Sequence, residues 1–329
     1  MAGARPAGIC GSRGGAATFH RVKTGNKPTE LLRADLLEPH DLAALGGIEF
    51  VARQIVEGFI AGLHRSPHRG FSVEFAEHRM YQPGDDLRHI DWRVFGRSDR
   101  YYIKQFEEET NLRAYLLVDV SASMEWTSDA DRIPPKLWYA KQLAASLALL
   151  LLRQGDSVGL IGFDHEVRSR VAPRGGRRHW YELVRTVGAL HGAGRTEAHT
   201  ALRDVAGRLR RRGLIILLSD LLVDAETTRL ALRFLRHRGH EVLVFHLLDP
   251  GERELPGMGD ARFVDPESGE ELPVSVADLR SEYRDAVVEA LLEWRDALVP
   301  QAVDYVVVET DQPMALALRA YLHKRERLG

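Results

Sequence analysis

A single cysteine, Cys10, occurs in 329 residues. Neither a disulfide framework nor a cysteine-ligated metal site can be built from it, and a reducing compartment, the cytoplasm, is the expected setting. Lysine is scarce as well, six against thirty-nine arginines, a bias expected of a GC-rich bacterial genome. Long apolar runs are missing. The longest, Leu143 to Leu152 between Lys141 and Arg153, is half of the roughly 20 residues that span a bilayer, so it reads as a buried helix and no membrane span is expected. Charge of one sign is also missing: 45 basic and 47 acidic residues leave a net −2, which gives no whole-chain attraction to nucleic acid or anionic lipid.

What is present is enough apolar residue, 44%, for one large domain with an appendage or for two modest ones. No acidic residue precedes Glu30, and the Gly/Ala/Arg-rich start superficially matches an organelle transit peptide; the plainer expectation is a flexible tail over residues 1–40. Leu42, Leu45, Ile48, Val51, Ile55 and Phe59 recur at helical spacing and predict one amphipathic helix from about Asp41 to Leu63, ended by Ser66, Pro67 and Gly70. Phe71, Val73 and Phe75 alternate with polar residues, as do Arg100 to Phe106. Two strands are therefore expected to flank the loop Gln82 to Asp99, making residues 41–111 a helix with a small β-containing subdomain.

From Leu112 the rhythm changes. Short apolar strands (Ala114–Val118, Ser157–Phe163, Leu214–Leu218, Glu241–Leu247, Asp304–Val308) alternate with helices over Pro135–Gln154, Trp180–Leu190, Ala198–Arg211, Ala225–Arg238, Val276–Leu298 and Pro313–Lys324. This pattern predicts an α/β domain over residues 112–329, a doubly wound, mostly parallel sheet with helices on both faces. Pro135 is expected at the first helical position and Gly155 just past the end of the first helix. Residues 262–264 and 271–274 flank Asp265-Pro-Glu-Ser-Gly269 and read as a surface hairpin.

The first of these strands ends in Asp119-Val-Ser121-Ala-Ser123, which sends a carboxylate and two hydroxyls out of the carboxyl end of a strand, the edge where open α/β sheets bind ligands. Thr196, on the loop before the Ala198 helix, and Asp220, after the strand Leu214–Leu218, lie where they would converge on the same edge; Thr200 competes with Thr196. Such hard oxygen donors suit Mg²⁺ or Mn²⁺. Taken alone, Asp119-x-Ser121 is no more than a capped strand-to-helix turn. Neither His165-Glu166 nor the pair His64 and His68, interrupted by Pro67, has zinc-site spacing.

The set Asp119, Ser121, Ser123, Thr196 and Asp220 resembles the metal-ion-dependent adhesion site of von Willebrand factor A domains. The resemblance implies that the two serines and the threonine hold the ion directly or through water, that the two aspartates act mostly through water, and that an Asp or Glu of a partner protein completes the octahedron. A second cluster stands upstream, Arg79-Met-Tyr81-Gln-Pro-Gly84-Asp85-Asp86-Leu-Arg88-His-Ile-Asp91-Trp92. Physically it is a strand running into a charged Pro-Gly turn with acids and arginines placed for bidentate contacts. Its order is similar to the signature of the DUF58 family, which precedes an A-like domain. That resemblance covers about Phe50 to Arg325 and implies a non-catalytic adaptor working with a MoxR-type AAA+ ATPase, with Arg79, Tyr81, Gly84, Asp85, Asp86, Arg88, Asp91 and Trp92 as a second contact surface. Buried internal ion pairs would explain the same cluster. Many relatives carry an N-terminal pair of transmembrane helices, for which this sequence has no counterpart.

Two other functions are weighed and set aside. A phosphatase of the haloacid dehalogenase type needs a second acid two residues after its nucleophilic aspartate, and that position is Ser121. A nucleophile elbow, a P-loop and a dinucleotide fingerprint are likewise absent. RNA binding would use the arginines at 208 and 210–212 or at 174, 177 and 178, but cations near a helix C-terminus are favoured by the helix dipole alone.

Overall fold

The apolar run that follows Leu112 becomes the centre of a six-stranded sheet. In this computed structural model residues 36–65, 78–81, 95–97, 100–104, 112–193, 202–205, 207, 209, 212–255, 259–264 and 271–326 are described; all belong to the unit Leu32–Gly329. Strand β3 (Arg113–Asp119) pairs in parallel with β4 (Ser157–Phe163) on one side and with β6 (Leu214–Ser219) on the other. Beyond β6 lie β7 (Glu241–Leu248) and β10 (Val303–Glu309), both parallel, while β5 (Val167–Arg174) closes the opposite edge antiparallel to β4. The order is β10-β7-β6-β3-β4-β5.

Two-sided burial follows from the pleat, which sends alternate side chains to opposite faces. Ala114, Leu116 and Val118 of β3 enter one core, together with Ile216 of β6 and Phe245 of β7. Tyr115 and Leu117 enter the other with Ile215, Leu217 and Val244. The first face is covered by α2 (Ile48–Arg65), α3 (Lys136–Arg153), α4 (Arg177–Gly188) and α8 (Ala315–Glu326). The second is covered by Leu202, Val205 and Leu209, α5 (Ala225–His237) and the carboxyl end of α7 (Val276–Leu298). Helix α3 is apolar nearly all round because it is sandwiched between the sheet, α2 and α4. It stops at Gly155, whose φ of +82° is the left-handed conformation glycine adopts most easily.

The expected strands and long helices are all in place where they are described, with several differences. The predicted amphipathic helix is two, α1 (Pro39–Ala44) and α2, broken where Gly46 takes φ +129°. Pro135 is the N-cap of α3, not its first residue. Strand β5 and the five-residue α6 (Pro250–Glu254) were not anticipated from the sequence. The expected hairpin forms as β8 (Asp260–Val264) and β9 (Glu271–Ser275). Upstream, β1 (His78–Met80) pairs antiparallel with β2 (Tyr102–Lys104); the strand expected at Phe71 to Phe75 lies outside the described residues, as does most of the helix Ala198–Arg211.

Candidate functional site

Chain direction sets the site. After β3 the chain crosses to β4 on one side, whereas β6 lies on the other, so the crossovers reverse at the β3/β6 boundary and leave a crevice at the carboxyl ends of these two strands. The register pairs Val118 with Leu218, which puts Asp119 beside Ser219. Ser219 Oγ donates to Asp119 Oδ2 at 2.6 Å, and Ser121 N donates to Oδ1 at 2.9 Å. The chain then winds through a 3-10 turn, Ala122–Glu125, that brings Ser121 Oγ and Ser123 Oγ to 3.0 Å from each other. Asp119 and Ser121 are fully buried, and Ser123 and Asp220 almost so.

Asp220 has a different neighbourhood. Its Oδ2 accepts from Lys136 Nζ at 2.8 Å, and Lys136, the first residue of α3, has no exposed surface. The same ammonium makes a short contact with Glu252 Oε1 on α6. Glu252 is fixed in turn by a capping box: Asp249 accepts from Gly251 N at 2.7 Å, and Glu252 Oε2 accepts from Asp249 N at 2.9 Å. Below Asp220, His246 Nδ1 stands 2.6 Å from Tyr305 Oη.

The electrostatics follow from burial. Desolvation pushes the Asp119 carboxyl up to about 7, and the neighbouring Asp220 charge adds to it against the hydrogen bonds from Ser219 and Ser121. Burial alone would lower Lys136; the Asp220 and Glu252 carboxylates outweigh it and hold the ammonium above the ordinary lysine value. Burial pushes Glu252 up despite Lys136. His246 is driven down to about 4 by burial, so its imidazole is neutral at pH 7.

Of the five residues assigned to a metal site, four come together: Asp119, Ser121 and Ser123 on one loop, and Asp220 on the adjacent strand end. Thr196 lies outside the described residues. The chain leading towards it leaves from the site, since Ala193 N donates to Val120 O at 2.9 Å and Gly192 N to Glu125 Oε1 at 2.8 Å. A Cβ on Gly192 would come within 2.2 Å of Glu125 Cγ, so this close approach depends on glycine. In the second cluster, Arg79 pairs with Ile103 across β1 and β2, and Tyr81 N donates to Tyr101 O at 2.9 Å. Gly84, Asp85, Asp86, Arg88, Asp91 and Trp92 lie outside the described residues.

Sequence reasoning missed Lys136, Glu252 and His246. A lysine beside a proline at the head of an apolar helix, in a chain with six lysines, was the one available signal. Among the described residues no group of three or more His, Cys, Asp or Glu side chains could hold an ion. The donors at this edge are instead two hydroxyls, Ser121 and Ser123, with two carboxylates, Asp119 and Asp220. That set is chemically suited to a small hard cation that keeps part of its water shell.

Residues 77–291 match the family described as "Protein of unknown function DUF58". The chain belongs to the DUF58 family. This DUF58 chain is 33% identical over 245 residues to the uncharacterized protein Rv1480 of Mycobacterium tuberculosis, covering 74% of this chain and 76% of that one. Among solved structures, BatB from Bacteroides thetaiotaomicron aligns with a TM-score of 0.46 at 16% identity, over 66% of this chain and 99% of that one. The SpRpn10 VWA domain aligns with a TM-score of 0.36 at 13% identity, over 63% of this chain and 93% of that one. The strand order and the helices on both faces establish a mostly parallel α/β sheet closed at one edge by an antiparallel strand. Among the described residues no helix is long and apolar enough to cross a membrane.

Proposed function

We propose that this DUF58 protein is a non-catalytic adaptor that binds Mg²⁺ or Mn²⁺ at the β3/β6 edge and uses it to grip an Asp or Glu of a protein partner. The observation that carries the reading is the buried pair of hydroxyls, Ser121 and Ser123, 3.0 Å apart beside the fully buried carboxylate of Asp119, which accepts from Ser219 Oγ and Ser121 N. Ser121 and Ser123, with Thr196, would hold the ion, and Asp119 and Asp220 would act mainly through water. The ion supplies a Lewis-acidic position for the partner's carboxylate. Family resemblance points to a MoxR-type AAA+ ATPase as the associated machine, working in assembly or remodelling of protein complexes. Such a partner consumes ATP, so the expected place of work is the cytoplasm.

A haloacid dehalogenase-type hydrolase needs its general acid two residues after Asp119, and among the described residues that place holds none. Ser121 occupies the position where one would stand, and His246, neutral and buried, faces Tyr305 beneath the site.

The deciding experiment is the thermal midpoint of chelator-treated protein with added Mg²⁺ or Mn²⁺, for wild type and Asp119→Ala. An ion at about 100 times its dissociation constant stabilises by roughly 2.7 kcal/mol. A shift in wild type alone supports the reading. Equal behaviour of the two proteins, together with partner capture that ignores chelator, would overturn it.

A further inference from the structure

We propose that Lys136 is the resident cation of this site: its ammonium holds Asp220 when no divalent ion is bound and sets how strongly the site takes one up. The inference rests on the metal-site reading above and concerns a residue which that reading does not use.

A lysine at the start of a helix normally extends its stem and keeps the ammonium in water. Lys136 does the reverse. Its side chain is 0% exposed, and its Nζ lies 2.8 Å from Asp220 Oδ2, itself 1% exposed. On its other side it contacts Glu252, and the ring of Trp126 stands 5.9 Å away. Its backbone belongs to α3, buried against sheet and helices, so the ammonium has little freedom to leave. A buried charge persists only when it is paired, and the pairing here consumes a carboxylate oxygen of the very residue that is to serve the divalent ion. Its second oxygen, Oδ1, already accepts from Leu222 N at 3.3 Å.

Asp220 is thus shared. A divalent ion entering beside Asp119 and Asp220 meets a positive charge already installed, and in a poorly solvated site like charges a few ångströms apart repel strongly. Glu252 opposes this effect by drawing the ammonium away from Asp220. The two partners of Lys136 therefore predict opposite outcomes. Removing the ammonium strengthens divalent binding; removing the Glu252 carboxylate leaves the ammonium to Asp220 alone and weakens it. An ion pair with a purely structural role would lower stability in both cases and leave the cation affinity where it was.

The test is calorimetric titration of Mg²⁺ into the full chain as wild type, Lys136→Met, Glu252→Gln and the double variant, with folding checked by circular dichroism. Lys136→Met is expected to bind Mg²⁺ about tenfold or more tightly than wild type, and Glu252→Gln more weakly. Lys136→Met leaves the buried Asp220 and part-buried Glu252 carboxylates without their counter-ion, which can prevent folding; the double variant removes one of them, and it is expected to exceed Glu252→Gln by the same factor of about ten. Unchanged or weaker Mg²⁺ binding on removal of the ammonium, in whichever of these pairs is folded, overturns the proposal. Asp119→Ala separates the two readings. Mg²⁺ heat in wild type that Asp119→Ala abolishes, with no response to Lys136, would leave the metal site standing and sink the resident cation; no Mg²⁺ heat in any protein would sink both.

Discussion

Ser219 Oγ donates to Asp119 Oδ2 at 2.6 Å while accepting from Leu221 N at 3.0 Å. One hydroxyl thereby ties the ends of two neighbouring strands and satisfies the backbone of a residue, Leu221, held at φ +51°. Left-handed backbone is costly for a side-chain-bearing residue and persists when its surroundings fix it.

Ser219→Ala removes both bonds and leaves the buried Leu221 N–H without its acceptor. The expected loss is about 1 to 3 kcal/mol in urea unfolding, with weaker Mg²⁺ binding because Asp119 is no longer oriented. A variant as stable as wild type would show that the strand ends hold their positions without this hydroxyl.

Gly213 precedes β6 at the point where it runs past the start of β3. A Cβ there would come within 2.2 Å of Arg113 O, a backbone atom that cannot swing aside. Gly213→Ala is expected to cost about 2 kcal/mol or more and to disturb the register that places Asp119 beside Ser219. Thermal unfolding checks the first effect and the Mg²⁺-dependent shift checks the second.

Asp156 supplies a pH signature far from the site. Burial raises its carboxyl to about 6, against the pull of Arg325 and a hydrogen bond from Leu112 N. The folded state therefore holds this proton more tightly than the unfolded state, so stability falls as pH rises from about 4 to about 6. Asp156→Asn, which mimics the protonated form, should flatten that slope and be more stable than wild type at pH 7 by about 1 to 3 kcal/mol. Parallel stability curves for the two proteins across this range would contradict the assignment.

Among the described residues Lys324 is the second buried lysine, 2.7 Å from Glu241 Oε2 and 2.6 Å from Asp304 Oδ2. Glu241 is partly buried, which alone would raise it; Arg236 and Lys324 prevail and hold it below the ordinary glutamate value. A depressed carboxylate contributes stability that is present above its unfolded value and lost as pH falls through its folded one. Lys324→Met should therefore cost about 1 to 3 kcal/mol at pH 7, and the gap to wild type should narrow near pH 3. Urea midpoints at the two pH values decide it.

The sheet was legible because its signals are local. Apolar runs such as Leu214–Leu218 and turns such as Asp119-Val-Ser121 can be read within a dozen residues. Strand β5 escaped because it is an edge: Arg168, Arg170 and Arg174 interrupt its apolar pattern, as charge and proline do on strands that must not pair further. The break between α1 and α2 turns on the conformation of Gly46, which apolar spacing does not encode. At the site, the oxygen donors were visible as a motif. Lys136 was not, because its partners lie 84 and 116 positions away along the chain and only the packing of α3 against the strand ends brings them together.

Helix α2 lies wholly before residue 77, where the match to the family begins, yet Val51, Ile55, Val56 and Phe59 are sealed inside the first core. Full burial of such side chains stabilises by about 1.5 to 3 kcal/mol each, a total comparable with the whole net stability of an ordinary domain. Strand β10 and helix α8 likewise lie beyond residue 291 and still complete the sheet and its cover. A chain trimmed to residues 77–291 would present the undersides of α3 and α4 to water and self-associate through them. The unit that folds extends past the segment matched by the family model at both ends, and any isolated domain prepared for binding work has to begin before α2.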